Sequence, residues 1–160
     1  MTNREKDRAR RQAAAHLETI QAVMRRLAHI AECDDPEECG LSAQEIRAGL
    51  GLHEGAEVGD EERRGYHDED AALEYVQEMP LSVDVRSGWQ SPSAKLVPVE
   101  YQLLMSTGGP AVRITGRLDA RDEPADAEIE YQDWCTEFRA LPIDSVQKQD
   151  LLQFARCCFR

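Results

Sequence analysis

Cysteine and histidine are the residue types of this chain that could bind a metal. Cys33 and Cys39 lie six positions apart, wider than the gap of two to four residues usual between paired zinc ligands. Cys157 and Cys158 are adjacent, which suits chelation poorly, and Cys135 stands alone. The histidines, which show no metal-ligand pairing, are His16, His29, His53 and His67. The sequence therefore predicts no metal, no cofactor and reduced thiols rather than a secreted disulfide framework.

The turn Thr107–Pro110 is the stretch closest to a phosphate-binding loop. It lacks the lysine and the following helix that such loops use, so a β-hairpin turn is the favoured interpretation. His67 beside Asp68 is a weak acid–base pair, and a histidine at the start of a helix explains it better. No nucleophile elbow, Walker loop, dinucleotide fingerprint or HExxH motif is present. The sequence favours a protein that is not an enzyme, with catalytic groups dispersed along the chain as the open alternative.

Arginines on one predicted strand could bind either acids or an anion. Arg113 and Arg117 share a strand face and can pair with Glu128 and Glu130 across a hairpin. The alternative is an anion-binding face that also uses Arg86.

Aromatic residues at two strand ends are candidate partner contacts. Tyr131, Asp133 and Trp134 belong to the motif EYQDW, and Trp89 follows another strand. Tyrosine and tryptophan are enriched at binding hot spots because they bury large areas at low entropic cost. The other interpretation is that these rings only close the ends of the sheet.

Negative charge is concentrated in one segment of the chain. Its formal net charge is −12; residues 31–78 hold sixteen acidic against three basic side chains, whereas residues 1–30 carry +4 and residues 79–160 carry −3. Such a field repels nucleic-acid backbones and anionic membranes and steers a protein toward a basic surface, with solubility alone as the alternative. The acidic residues predicted to contact a partner are Asp34, Asp35, Glu37, Glu38, Asp60, Glu61, Glu62, Asp68, Glu69 and Asp70.

The first half of the chain is predicted to be helical. Residues 3–32 lack proline and glycine and repeat apolar residues at helical spacing, at Ala13, Leu17, Ile20, Met24, Leu27 and Ala31. We expect this seam to pack on the protein's own sheet, with a homodimer through the first helix as the alternative. The spacing of Ser42 and Glu45 predicts a capping box and a short helix through Leu50.

Residues 41–52 resemble the first helix and turn of a helix-turn-helix DNA reader. The recognition helix would then be residues 53–65, whose glycines and acidic side chains suit a phosphate backbone poorly. We therefore predict an acidic loop at residues 53–67 and expect no direct binding to nucleic acid.

The second half predicts an antiparallel sheet between helices. A helix beginning near Tyr66 stops at Pro80, four strands follow at residues 81–86, 100–105, 111–118 and 127–134, and residues 145–159 form a last helix. The predicted fold is α+β, with N-terminal helices, a four-stranded antiparallel β-meander and a C-terminal helix packed on the sheet. We expect one domain over residues 1–160, comprising a helical part at 1–52, the acidic loop at 53–67 and the sheet part at 68–160.

The location expected for the protein is the cytoplasm of a bacterial host cell. No apolar run approaches the roughly 18 residues of a membrane span. The N-terminal stretch also lacks the apolar segment of a secretory signal.

The C-terminal half resembles a family of small proteins encoded by bacteriophages, plasmids and integrated elements. The motifs that carry the resemblance are MPLSVDVRSGW (79–89), LLMSTGGPAVRITGRLD (103–119), EYQDW (130–134) and LLQFARCCF (151–159). No established activity comes with this family, so the resemblance implies a genomic context rather than a chemistry.

These observations together predict an accessory protein that acts by stoichiometric binding. The expected partner is a nucleic-acid-handling complex of host defence, inhibited in an anti-CRISPR-like or anti-restriction manner, with the acidic side chains imitating phosphates. Trp89, Tyr131 and Trp134 would supply desolvated contacts. The alternatives are a helix-turn-helix regulator, and a small enzyme or ligand-binding module with a pocket near Arg86, Arg113 and Trp134.

Overall fold

The computed structural model describes residues 3–134 and 136–160, so the predicted thiol of Cys135 lies outside the described residues. The helices are α1 (Asn3–Glu32), α2 (Ala43–Leu50), α3 (Asp60–Tyr66), α4 (Glu69–Glu78) and α5 (Ser145–Cys158). The strands are β1 (Ser82–Ser87), β2 (Pro98–Ser106), β3 (Ala111–Arg117), β4 (Glu128–Gln132) and β5 (Arg139–Ala140). No helix in the described part of the chain is long and apolar enough to cross a membrane.

The predicted α+β fold is confirmed, but the sheet has five strands instead of four. All neighbours are antiparallel in the order β1-β2-β3-β4-β5. The missed strand β5 pairs Arg139 with Tyr131 and Ala140 with Glu130. A strand of two exposed residues contains no alternation of apolar and polar side chains, so its sequence carries no signal.

One face of the sheet packs against α1 and α5. The seam of α1 buries Ala13, Leu17, Ile20 and Met24 in the same core as Leu103, Ile114, Ile129 and Phe154. The preferred interpretation of the seam is therefore confirmed, although Ala31 at its end is exposed. A dimer through this seam would have to displace the protein's own sheet.

Two features between residues 53 and 69 differ from expectation. The segment predicted as a loop contains α3, whose first turn is acidic and whose N-terminal Gly59 donates its backbone N–H to Glu62 Oε2 over 2.8 Å. Acidic side chains stabilise the positive end of a helix, so a charge run that resembled a solvated loop starts a helix instead. The next helix, α4, begins at Glu69 and not near Tyr66, because Asp68 caps it by accepting from the backbone N–H of Ala71 at 3.0 Å.

The segment between α1 and α4, residues 33–68, forms a helical lobe with few buried apolar side chains. Ile46 and Tyr66 are its buried hydrophobic residues within the described chain, and neither belongs to the main core. Gly49 lets the backbone of α2 approach the ring of Tyr66 closely, because a Cβ atom there would lie 2.4 Å from that ring. The Ser42–Glu45 capping box predicted for α2 is present.

A buried arginine of α1 joins this lobe to the rest of the protein. Arg26 is only 2% exposed, and its guanidinium donates to the carbonyl oxygens of Gly49 (3.4 Å), Gly65 (2.7 Å), Tyr66 (2.8 Å) and Asp68 (3.1 Å). Helix C-termini leave carbonyls unpaired and carry a partial negative charge, so a cation is the suitable partner at the ends of α2 and α3. Burial lowers the pKa of Arg26, while Tyr66 and Asp68 oppose that shift.

Candidate functional site

Strand β1 alternates apolar and polar side chains, yet the apolar side chains on its helix-facing side are exposed. Val83 lies opposite Leu103 and Val85 opposite Tyr101, so all four point to the side of the sheet that carries the core. Leu103 and Tyr101 are buried, but Val83 is 45% and Val85 53% exposed. The covering helices stop short of β1, and its apolar side chains face solvent.

Exposed apolar residues run from the start of β1 through the following loop to the start of β2. We define the apolar edge by these residues, which are Leu81, Val83, Val85, Trp89, Leu96, Val97 and Val99. These are seven of the ten large hydrophobic residues that are exposed in the described chain. Trp89 is fully exposed and lines a groove of about 760 Å³ with Leu96 and Val99. Contiguous apolar patches of this kind mark interaction sites far more often than isolated exposed side chains do.

The apolar edge coincides with an open edge of the sheet. Strand β1 is the outermost strand and pairs with β2 on one side, while its other side carries no strand among the described residues. Edge strands present backbone donors and acceptors that a further strand can pair with. A partner can therefore use both backbone hydrogen bonds and apolar contact at this position.

The opposite face of the sheet is a shallow polar groove of about 610 Å³ crossed by ion pairs. Arg113 Nε lies 2.7 Å from Glu130 Oε2, its Nη1 donates to Gln102 at 3.0 Å, and its guanidinium lies 3.8 Å from the ring centroid of Phe138. The predicted pairing of Arg113 with Glu130 is confirmed. Its contacts with Glu130, Gln102 and Phe138 give Arg113 a structural role.

The other two arginines of this face also bind carboxylates. Arg86 Nε donates to Glu100 over 2.8 Å. Arg117 pairs with Asp126 at 2.6 Å rather than with Glu128, because the register places Glu128 opposite Thr115. Burial opposes ionisation of Asp126, but the backbone N–H and guanidinium of Arg117 outweigh it and lower its pKa. The three arginines proposed for an anion-binding face are thus already neutralised by acids.

The structure separates the aromatic candidates. Trp89 follows β1 and Trp134 follows β4; because these strands run in opposite directions, the two rings lie at opposite ends of the sheet. Trp134 is 66% exposed, so it does not close the sheet, while Tyr131 packs partly against the core. Asp133 shapes a turn, with its Oδ1 accepting from the Trp134 backbone N–H at 2.9 Å. A pocket combining Arg86, Arg113 and Trp134 does not form.

The acidic candidates lie in the helical lobe and in the first turn of α4 rather than in a linker. Asp34, Asp35, Glu37 and Glu38 are exposed in the loop that joins α1 to α2. Of the remaining acidic candidates, Glu62 and Asp68 bind backbone N–H groups at helix starts. The exposed ones are Asp60, Glu61, Asp68, Glu69 and Asp70. Part of this acidity therefore stabilises helices, and part faces solvent.

The lobe also brings together four side chains that the sequence treated separately. One nitrogen or sulfur atom from each of His29, Cys33, Cys39 and His67 lies within 4.8 Å of the others. We call this group the thiol–imidazole cluster. A sequence signal existed: His29 in the last turn of α1 and Cys33 directly after it are four residues apart, a spacing that places both side chains on the same side of the helix end.

The helix pair α2 and α3 departs from a DNA-reading arrangement. A helix-turn-helix joins its helices by a turn of three or four residues, whereas α2 ends at Leu50 and α3 begins only at Asp60. The first turn of α3, which would enter the major groove, carries Asp60, Glu61 and Glu62. Such a surface would face phosphates with carboxylates.

Three features of the described chain could contact another molecule: the apolar edge, the acidic helix starts of the lobe and the thiol–imidazole cluster. The first lies on the sheet and the other two on the helical lobe. The chain matches no family model, no curated protein and no solved structure.

Proposed function

We propose that this protein acts by stoichiometric binding of a partner protein along the apolar edge. The observation that carries the proposal is the concentration of seven of ten exposed large hydrophobic residues in the segment 81–99. Leaving this surface in water is unfavourable by roughly 25 cal/mol per Å² of apolar area. A partner that covers it recovers that free energy, and Trp89 has the size and exposure of a hot-spot residue.

The charge of the helical lobe and of the helix segments that flank it supports a basic partner surface. Residues 31–78 carry a net charge of −13, so a positively charged partner is attracted before contact and binds with a raised association rate. In this arrangement the apolar edge supplies affinity, and exposed carboxylates such as Asp34 and Glu38 supply steering.

The partner class we propose is a nucleic-acid-handling complex of host defence in bacteria. Nucleic-acid-binding surfaces are basic, and acidic side chains can occupy them in place of phosphates. The resemblance of the C-terminal half to proteins of phages and plasmids supports the same class, in which inhibition of a restriction or CRISPR complex is an advantage to the element.

The test is affinity capture from nuclease-treated bacterial lysate at low salt, with two tryptophan variants as a matched pair. Trp89→Ala removes the ring within the apolar edge, and Trp134→Ala removes an exposed ring at the other end of the sheet. We expect the affinity for a captured partner to fall at least about tenfold with Trp89→Ala and to change little with Trp134→Ala. Equal retention by both variants would overturn the role of the apolar edge.

A second arm identifies the occupant of the edge and the role of charge. Val85→Lys places a charge on the exposed side of β1, and we expect it to abolish capture. If sedimentation instead shows a dimer that Val85→Lys dissociates, the apolar edge is covered by a second copy and the proposal of a heterologous partner is wrong.

The role of charge is tested by replacing Asp34, Asp35, Glu37 and Glu38 by their amides. This change should slow association with the partner and weaken the salt dependence of the association rate; an unchanged association rate would refute steering.

A further inference from the structure

The thiol–imidazole cluster is assembled from three separate parts of the chain. His29 lies in the last turn of α1, Cys33 directly follows that helix, Cys39 lies in the loop before α2, and His67 follows α3. Their potential ligand atoms lie within 4.8 Å of one another, and all four residues are partly buried. Two thiols and two imidazoles that converge in this way form the donor set of a tetrahedral zinc site.

The distances suit a zinc ion with only small movements of the side chains. With Zn–S near 2.3 Å and Zn–N near 2.0 Å, the donor atoms of a tetrahedral site lie about 3.3–3.8 Å apart. The Nε2 atom of His29 lies 2.9 Å from the Sγ atom of Cys39, and the widest separation in the cluster is 4.8 Å or less. The observed range brackets the required one.

The orientation of His67 is an independent sign of a ligand. Its Nδ1 lies 2.8 Å from the carbonyl oxygen of Arg63, which can only accept, so Nδ1 carries the proton. Its Nε2 is therefore the lone-pair nitrogen; this atom is buried, and it has no hydrogen-bond partner among the described residues. An unpaired buried polar atom is energetically unfavourable. Metal-binding histidines are commonly held by a carbonyl in this way, with the free nitrogen on the metal.

The helical lobe is the kind of substructure that a structural metal stabilises. Its buried hydrophobic side chains are Ile46 and Tyr66, and the main core lies elsewhere. Small units with little apolar burial are commonly held by a metal or by disulfides. A metal on the cluster would connect α1, the loop before α2 and the end of α3, and Arg26 of α1 also bonds to the end of α3.

We propose that His29, Cys33, Cys39 and His67 bind one zinc ion as a closed, structural Cys2His2 site. Binding deprotonates both thiols and releases the two protons to solvent, and the resulting thiolates balance the charge of the ion. All four coordination positions are then filled by protein, so the site holds the lobe together and offers no position for substrate. The sequence-based prediction of no metal rested on Cys–Cys and His–His spacings, and the mixed His–Cys pair of α1 is what it omitted.

The test uses the full-length protein without a histidine tag, purified under reducing conditions. Elemental analysis should find one zinc per chain. Cobalt(II), added after chelation, should give the intense visible absorption of a tetrahedral site together with thiolate-to-cobalt charge transfer. Absence of both bound zinc and a tetrahedral cobalt spectrum would overturn the proposal. A Cys33–Cys39 disulfide in protein isolated from a reducing cytoplasm would also overturn it.

Matched variants separate the cluster from adventitious binding. His67→Gln and Cys39→Ser should lower cobalt affinity by more than about 100-fold, beyond the 10–100-fold typical of losing a supporting residue. His53→Gln, which changes an exposed histidine of the same lobe outside the cluster, should leave affinity unchanged. His67→Cys preserves four ligands and should retain binding with increased charge-transfer absorption, which guards against simple misfolding. Equal affinity of His67→Gln and His53→Gln, or loss of binding in His67→Cys along with retained secondary structure, would refute the assignment.

Discussion

The sheet half and the helical lobe of this protein are stabilised by different physical means. Strands β2 to β4 with α1 and α5 surround one contiguous apolar core, in which Phe154, Leu103 and Ile114 are fully buried. Residues 33–68 instead depend on a buried guanidinium, helix caps and close backbone packing. The sheet half should therefore be destabilised mainly by truncation of buried apolar side chains. The helical lobe should be destabilised by loss of single polar groups or by larger side chains at closely packed positions.

The largest expected effect is loss of the main core by Phe154→Ala. Truncating a fully buried phenylalanine destabilises proteins by about 3–5 kcal/mol, since transfer free energy is lost and a cavity remains. Chemical denaturation followed by circular dichroism should show this decrease in the free energy of unfolding. Val146→Ala, at an exposed position of the same helix, should change it by less than about 0.5 kcal/mol. Equal effects would contradict the placement of the core.

A smaller and more local effect is expected for Arg26→Met. The change removes the charged donors that bind the carbonyls of Gly65 and Tyr66, and loss of these charge-assisted hydrogen bonds should lower the free energy of unfolding by about 2–3 kcal/mol. Hydrogen exchange should accelerate in α2 and α3 and remain slow in β2 and β3, because the lobe opens without the sheet. Arg25→Met, an exposed neighbour on α1, serves as control. Uniform acceleration over both regions would show that the two halves unfold together.

The smallest effects concern two glycines of the lobe and should have opposite signs. Gly49→Ala places a Cβ atom 2.4 Å from the Tyr66 ring and should destabilise by about 1–3 kcal/mol through overpacking. Gly65→Ala meets nothing within 4 Å and lies in α3, so it should stabilise by up to about 1 kcal/mol. Thermal unfolding of the two variants beside the wild-type protein measures both shifts. Shifts of the same sign would contradict the close packing of α2 on Tyr66.

Expectations that depended on neighbouring residues agree well with the structure. The bounds of α1, the capping box of Ser42 and the hairpin turn around Gly108, which adopts a φ of +84°, were all readable from local composition. The exposure of Val83 and Val85 on β1 was not predictable, because alternation shows which side chains share a face but not whether a helix covers that face. The assignment of 53–67 as a loop failed because acidic residues suit both a solvated segment and a helix start.

The candidate sites were predictable only in part. The exposure of Trp89 and Trp134 agrees with their selection as contact residues, but their positions at opposite ends of the sheet follow from strand order. The sequence left open whether Arg113 pairs with acids or joins Arg86 in an anion-binding face, and the folded chain supplies each of them with a carboxylate. Residue type identified which side chains could take part in binding. The strand register identified which of them already pair with another side chain of the protein.

Local order along the chain is thus decided by the amino-acid sequence over a few residues, since capping, helical periodicity and turn geometry involve groups less than about two turns apart. Features that join distant segments were decided by the tertiary structure alone. Arg26 reaches carbonyls about forty residues away, and His67 meets Cys39 only after α2 and α3 have packed on α1. Contacts between residues so far apart in the chain depend on how whole helices and strands pack together. The periodicity of the sequence does not show this packing. The apolar edge follows the same principle, because its exposure reflects where α1 and α5 end over the sheet.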